Sequence, residues 1–577
     1  MSSPLELLAP AGNRACLDAA LEAGADAVYL GLTTLNARRY ARNFSEGELA
    51  DACVAAHARG RRVHLALNID LAQDELSRAA RSLEVASRLG VDVVIVRDPA
   101  LLALRRHFPE LEYHLSTQAC VTSSADVEAA RDLGVRRVVL ARELTLAEIV
   151  AASRVEGVET EVFAHGAMCF SVSGRCLLSS WVGGRSGNRG QCTSPCRVDW
   201  TLDGEPGGTP FSMHDLSLVA RMDELRHAGV RAVKIEGRMK NPSWVRASVA
   251  LLRRAIDGAD APDELARDAE RRGAPPGRRL TSGYLDGQRH DLVERGTPGA
   301  AGPSKEAAET PHFPQVTVRD DVAELLRAVD APAQSGSGPR PDRVRLTAEQ
   351  APAFLARVTP AAGAIVEGLD GNALAQLKAR VPGVPLVVAL PGVSFEEELP
   401  QLAALVAAAV LHGVTVEANS WGGWFLSRRA GARMMAGPGL AVLNALAARE
   451  LAARGFQEVT ASVEADALKL EALVGRITTP CSVVAFGRPA LMTTRVELPE
   501  EVAAAEVEDR RAARMRARRV GAVWEWRPVQ PFDVRGLRLP PGTAHVVVDL
   551  IASPDPLAEW ERGPDGASHF NMDRVLS

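Results

Sequence analysis

Half of the chain's eight cysteines fall in one stretch of 28 residues: Cys169, Cys176, Cys192 and Cys196, in HGAMCFSVSGRC…GNRGQCTSPC with the spacing C-x6-C-x15-C-x3-C. Four thiolates are enough to close a zinc site or to hold an iron–sulfur cluster, since both take sulfur ligands. The residues between them are rich in Gly, Ser, Asn and Arg, which suits a loop folded around an inorganic core. Structural zinc sites usually draw on C-x2-C knuckles, and none is present. The long, irregular spacing therefore favours a 4Fe–4S cluster, with zinc as the alternative and four packing thiols as the bland reading. Cys16, Cys53 and Cys120 read as packing thiols, although Cys120 lies just beyond a predicted strand and close to the site. Cys481 stands outside any ligand spacing.

A second set of chemically able residues sits at the ends of β-rich runs: Asn68, His114, Gln118, Arg142, Glu143, His165, Lys234, Glu236 and Arg238. Arg142 and Arg238 suit a carboxylate substrate, and Glu143 is grouped with them, beside Asn68, His114 and Gln118, as substrate-binding. His165, Lys234 and Glu236 are the candidate catalytic groups. Lys234 stands out because only five of the 67 basic residues are lysine, and two of those five lie in VKIEGRMK. A lysine kept where arginine is the default cation hints at a need for a titratable amine. The motifs HExxH, GxSxG and Walker A are all missing, so a zinc protease, a serine hydrolase of that type and a P-loop NTPase find no support.

Positioning such a ring needs a repeated strand–helix scaffold, and the first 240 residues supply one. Short Val/Ile/Leu-rich runs begin at Leu5, Ala25, Arg61, Val91, Leu111, Val135, Thr160 and Val230, with amphipathic helical stretches between them, several ending in Gly. Eight near-continuous apolar strands predict a parallel sheet closed as an N-terminal (β/α)8 TIM-like barrel over 1–260. An open doubly wound sheet is the lesser alternative, because no Gly-rich dinucleotide fingerprint follows the first strand. The cysteine stretch falls between the seventh and eighth strands, where a barrel's catalytic loops emerge.

An extension and linker follows over 261–342, with a short strand expected around Val316. Over 343–497 the sequence HGVTVEANSWGGW parallels LGVDVVIVRDPALL, and VVAFGRPALMTTR stands where EVFAHGAMCFSVSGR stood. That region predicts a second, degenerate α/β barrel-like domain without the cysteines, and 498–577 a small β-rich C-terminal region. The run Arg510, Arg511, Arg514, Arg516, Arg518 and Arg519 reads as a solvated helix face or as part of an RNA track.

Net charge is −5, so nucleic-acid binding would have to come from a local patch rather than from the whole chain. The most apolar stretch, near Leu402 to Val416, is broken by His412 and Gly413 and is too short to span a bilayer. No membrane role and a cytoplasmic location are expected. Clustered cysteines in that compartment are more often ligands than disulfides. The oligomeric state is open.

The strings LAPAGN, GADAVYLG, HLSTQ, LARELTLAEI, the cysteine segment and KIEGRMKNPSWV, taken in order over residues 5 to 290, resemble peptidase family U32, the collagenase-like family. The resemblance implies an oxygen-independent hydroxylase that carries a 4Fe–4S cluster on Cys169, Cys176, Cys192 and Cys196. Branches of that family make 5-hydroxyuridine in tRNA or 5-hydroxycytidine in 23S rRNA with prephenate as the apparent oxygen source; another hydroxylates ubiquinone precursors with a second family member. The implied partners are therefore RNA and a small carboxylate donor. The wording GRSGNRGQC is closer to the ribosomal branch. SMHDLS departs from the usual SxKDLC, with His214 and Ser217 in place of Lys and Cys. A collagenase-like peptidase and a cluster-bearing partner in quinone hydroxylation are the competing functions.

Overall fold

The computed structural model describes residues 5–272, 278–294, 316–333, 340–564 and 568–576. Eight parallel strands close the first barrel: β1 (Glu6–Pro10), β2 (Ala27–Leu30), β3 (Arg62–Leu67), β4 (Val93–Val96), β5 (Glu112–Leu115), β6 (Arg137–Val139), β7 (Glu159–Ala167) and β8 (Ala232–Glu236), with β8 pairing both β7 and β1. Each strand is buried on both faces, which is why these runs read as continuous Val/Ile/Leu. Capping boxes such as Ser45–Glu48 and Thr145–Glu148 start the helices between them.

A second closed barrel follows: β9 (Asp342–Thr347), β10 (Ala364–Glu367), β11 (Leu386–Ala389), β12 (Thr415–Ala418), β13 (Met434–Ala436), β14 (Phe456–Thr460), β15 (Cys481–Gly487) and β16 (Thr543–Asp549). The molecule is thus two TIM-like α/β barrels. The eighth strand, β16, comes from within the region read from sequence as the β-rich end. Between β15 and β16 the chain leaves to build most of a six-stranded sheet, which a hairpin of the first barrel's cysteine loop, Thr201–Leu202 and Glu205–Pro206, extends through Glu506–Glu508. Most of the 261–342 linker lies outside the described residues. At Val316 the described chain is coil leading into the helix Asp320–Asp330 rather than a strand.

The barrels meet with a quasi-two-fold arrangement. The helix after the fourth strand of each packs on the helix after the fifth strand of the other: Pro99–Leu104 on Ala445–Ala453, and Trp421–Arg429 on Ser124–Leu133. Their caps interlock. Asp126 accepts from the Gly422 amide at 2.7 Å, and the Asn444 side chain donates to Asp98 at 3.2 Å. Arg495, almost fully buried, forms a two-pronged pair with Glu148 across this junction at 2.7 Å and lies over the Phe395 ring at 3.7 Å. Removing one partner of such a pair leaves an uncompensated buried charge. Arg495→Ala is therefore expected to destabilise the junction by about 3–5 kcal/mol, read as a lower urea midpoint.

Candidate active site

The cysteine loop is held between the two barrels. The Val172 amide donates to the Thr493 carbonyl at 2.7 Å and the Leu177 amide to Leu491 at 2.8 Å. Trp200, Phe170 and Trp526 surround Phe211 at centroid distances of 4.9 to 5.1 Å, joining the loop to the second barrel's sheet. The glycines of the loop have a steric reason. Gly174 (φ +79°) and Gly190 (φ +83°) take left-handed backbone, and a Cβ on either would sit 2.1 Å from the carbonyl of Gln118 or Asn36 on the first barrel's rim.

Cys176, Cys192 and Cys196 are half-buried on this loop and Cys169 is exposed. Burial pushes the Cys196 thiol up to about 12, with Cys192 and Cys169 adding to the rise. Burial likewise raises Cys176, and Cys192, Cys196 and Cys169 reinforce it. Cys176 and Cys196 thus lie within electrostatic reach of the loop's other sulfurs. Among the described residues no three His, Cys, Asp or Glu side chains converge as the ligands of a single metal ion would. Four cysteines on one loop are the donor set that an iron–sulfur cluster takes, and Cys169, Cys176, Cys192 and Cys196 are the residues that would hold it.

Beside the loop lies the C-terminal mouth of the first barrel, where an arginine cluster surrounds Glu236. Arg38 Nε pairs with Glu236 at 3.1 Å and Arg142 at 3.5 Å, while Arg238 donates to the side-chain Oδ1 of Asn36 at 2.9 Å. Burial alone would raise the Glu236 carboxyl, but Arg38, Arg142 and Arg238 hold it below the ordinary range. Arg38 is raised by Glu236 and, less strongly, by Cys169 and Cys192, so its guanidinium is within electrostatic reach of both the carboxylate and the loop's sulfurs. Arg142 stacks over Phe163 at 3.8 Å and donates to Ser173 at 3.1 Å. Nε of Arg142, and Nε and one terminal nitrogen of Arg238, are buried without a hydrogen-bond partner. Three guanidiniums against one carboxylate, with bare N–H groups, make a mouth that suits an anion.

Asn68 and Gln118 belong to the same rim. Asn68 accepts from the Ala37 amide at 3.1 Å and donates to Ser116 at 3.2 Å, and Gln118 meets Arg97 at 3.5 Å. Lys234 lies deeper in the barrel, paired with Glu161 at 3.0 Å and 4.5 Å from the Tyr29 ring. Three expected positions differ. His114 is fully enclosed below the mouth, edge-on to His64 and bonded to Glu112 at 2.6 Å, because β5 presents it to the barrel's interior. Glu143 is enclosed at the junction, where burial pushes its carboxyl up to about 7 and Arg495 donates to its backbone carbonyl. His165 faces the barrel's flank. A bulge in the β7–β8 pairing between Phe163 and His165 flips the alternation, so His165 stacks on Trp244 at 5.6 Å and lines an outer cavity with Asn241 and Ser248.

Burial, helped by Lys240, depresses His165 to about 4. An unfolded histidine titrates near 6.5, so between pH 6.5 and 4 the unfolded chain takes up a proton that the folded one refuses. Stability is lost as pH falls through that window, by about 3 kcal/mol in total, and is unaffected above it. His165→Phe keeps the stack on Trp244 and is expected to flatten that part of the urea-stability profile between pH 4 and 6.5.

Arg38, Asn36, Arg97 and Asn188 belong to the site and were not singled out from sequence. The signal available was the Asn/Arg-rich loop TTLNARRYARN after β2. The arginine run is not a helix: Arg510 and Arg511 lie in a turn and the other four in a strand, Arg514–Val520. Its side chains pair with carboxylates, Arg514 and Arg516 with Glu506 and Arg519 with Glu497. His214 and Ser217 flank and end a short strand, Asp215–Ser217, antiparallel to β7. Among the described residues no helix is long and apolar enough to cross a membrane.

Fold and mouth together define a (β/α)8-barrel protein with a cysteine-bearing rim loop and an anion-suited pocket. The sequence profile of Peptidase family U32 matches residues 12–295. A 23S rRNA 5-hydroxycytidine synthase of Escherichia coli K12 is 38% identical over 262 residues, covering 44% of this chain and 40% of the synthase. The tRNA hydroxylation protein P of the same strain is 31% identical over 310 residues, 44% of this chain and 68% of that protein. A collagenase of Porphyromonas gingivalis is 29% identical, over 49% of this chain and 74% of its own length. A solved U32 peptidase is similar at 22% identity and a TM-score of 0.26, over 29% of this chain and 72% of its own. The chain belongs to peptidase family U32, and its match spans less than half the length of the rRNA synthase.

Proposed function

We propose that the chain is an oxygen-independent RNA hydroxylase forming a 5-hydroxypyrimidine in rRNA or tRNA, with a 4Fe–4S cluster on Cys169, Cys176, Cys192 and Cys196 and a small carboxylate, prephenate, as co-substrate. The observation that carries this reading is the set of buried, unpartnered guanidinium N–H groups of Arg142 and Arg238 beside a loop bearing four cysteines. The names of the rRNA and tRNA relatives support RNA as the substrate. When bound, the cluster would supply the redox chemistry that hydroxylation without dioxygen needs.

The chain's own residues would bind and orient. Arg142 and Arg238 engage the carboxylate, Glu236 fixes Arg38 and Arg142, and Asn36 holds Arg238. Asn68 and Gln118 shape the rim. Lys234, held by Glu161, supports the aromatic floor of Tyr29 and Phe163 from beneath. C5 of a pyrimidine is shielded in a stacked helix, so the base would enter splayed out or from a single strand.

The peptidase reading rests on names, those of the family, of a collagenase relative and of a solved U32 structure. His114 is tied to Glu112 and His165 stacks on the flank, so neither imidazole is offered to a nucleophile at the mouth. Nucleoside mass spectrometry of rRNA and tRNA from a deletion strain tests the proposal. A 5-hydroxypyrimidine is expected to vanish and to return with the intact gene; unchanged levels in both RNAs would sink it.

A further inference from the structure

The second barrel has a mouth of its own, and it lies outside the region matched by the family profile. The C-terminal ends of its strands open on a cavity of about 630 Å³, with apolar walls that include Leu390, Leu405, Val484 and Ile551. Arg97 and Asn188 of the first barrel complete the lining, so the cavity reaches the underside of the cysteine loop.

Most of the arginines that line this cavity are already paired with carboxylates, Arg518 with Glu367 at 3.1 Å and Arg519 with Glu497 at 2.8 Å among them. Arg345 is paired with Glu417 at 2.5 Å, Arg527 with Glu525 at 2.8 Å and Arg488 with Glu559 at 2.7 Å. Arg175 donates to the carbonyls of Gly439 and Asn419 at 2.7 and 2.9 Å. What remains open is acceptor capacity. Glu464 is only 2% exposed; one carboxylate oxygen accepts from the Asn188 amide at 3.0 Å, and the other is buried with no partner. Among the described residues no cation stands within ion-pair distance of it. Asp549, at the end of β16, lines the same space and accepts from the Ile551 amide at 3.0 Å. Glu367 and Glu525 also line it, but they are the partners of Arg518 and Arg527.

A buried carboxylate with a bare oxygen calls for a donor, and an apolar wall calls for a hydrocarbon body. We propose that the second barrel's mouth binds a small organic cation, an amine or amidine carried on an apolar frame, with its charged head against Glu464. Asn188 makes this site more than a neighbour. The same amide that meets Glu464 also lies 3.3 Å from the Cys176 carbonyl, and the Asn188 carbonyl oxygen accepts from Arg97 at 3.1 Å. An occupant that draws on Glu464 therefore acts on a residue that positions the cysteine loop.

Calorimetry and thermal melting of the full chain with tyramine, against 3-(4-hydroxyphenyl)propionate as the isosteric anion, test this assignment. Tyramine is expected to bind one per chain and raise the melting temperature, and the anion to do neither. Glu464→Gln keeps an acceptor for Asn188 but loses the charge, and is expected to weaken tyramine binding by about tenfold or more, as loss of a charge-assisted contact does. If that variant melts early without any probe, Glu464→Asp, which keeps the charge but shortens its reach into the cavity, is read in the same way. Equal binding of the anion, an unchanged tyramine affinity in the variants, or no binding of tyramine at millimolar concentration would each overturn the proposal.

Discussion

Cys192→Ala is expected to strip iron and sulfide from protein prepared without air, bleach its visible absorption and reduce RNA hydroxylation to background, while the fold survives. Cys192 stands at the centre of the electrostatic pattern. Its sulfur accepts from the Ser194 amide at 3.4 Å, is sensed by Cys176 and Cys196, and contributes to the raised Arg38. Outer-shell changes around a metal site already cost roughly 10–100-fold in affinity or activity, so loss of a ligand should exceed that range. The loop is clamped by backbone bonds from Val172 and Leu177 to the second barrel, so deleting one half-buried sulfur leaves its anchors intact. Cys120→Ala is the matched control. That thiol is buried near Gly392 of the second barrel and is raised by burial, so its removal should leave iron and colour unchanged. Metal analysis with absorption and paramagnetic resonance separates the readings, because zinc is silent in both spectra. Full iron and an unaltered spectrum in Cys192→Ala would end the cluster assignment.

The first barrel was legible because each of its strands is buried on both faces, so local composition and tertiary role coincide. The second barrel was legible through HGVTVEANSWGGW, whose strand and helix sit where those of LGVDVVIVRDPALL sit in the first. Its last strand was not. Residues 488–542 intervene between β15 and β16, and no local pattern tells that Thr543–Asp549 returns to pair with both β15 and β9. Arg514–Val520 was misread for a related reason. Arginine carries no strand signature, and the pairing with Val523–Pro528 that makes it a strand is a tertiary fact.

At the site, position at a strand end was a partial guide. Arg142, Glu236 and Arg238 lie at the mouth, with Asn68 and Gln118 on its rim, because strand ends point there. His165 shows where that rule fails: one bulge in β7 turns its ring to the opposite face, and a bulge leaves no mark in a single sequence. Arg38 and Asn36 were missed because they lie several residues beyond β2, on a loop that folds back over the rim and is fixed there by Asn68 and Gly190.

Arg238→Met should separate the carboxylate from the cluster. This guanidinium is 4% exposed, held at one nitrogen by Asn36 and bare at two others. Burial pulls it down to about 10, which still leaves it charged at neutral pH. With Arg38 and Arg142 already committed to Glu236, Arg238 is the cation with the most unspent bonding capacity in the mouth. Truncating a buried partner of a charged ligand costs about 2–4 kcal/mol, so kcat/KM for the carboxylate should fall roughly 30- to 1000-fold. Iron content and spectrum should not move, since Arg238 contacts Asn36 and Tyr29 and its pKa is governed by burial and the neighbouring Tyr29, Arg38 and Glu236. Arg238→Lys restores the charge but not the planar fork, so it should recover only part of the loss. Titrating prephenate at fixed RNA, then RNA at fixed prephenate, locates the defect. A loss confined to the RNA titration would move Arg238 from the carboxylate to the phosphate backbone and remove the main support for a small acidic co-substrate. A loss confined to the carboxylate titration would identify the surplus positive charge around Glu236 as the part of the mouth that holds it.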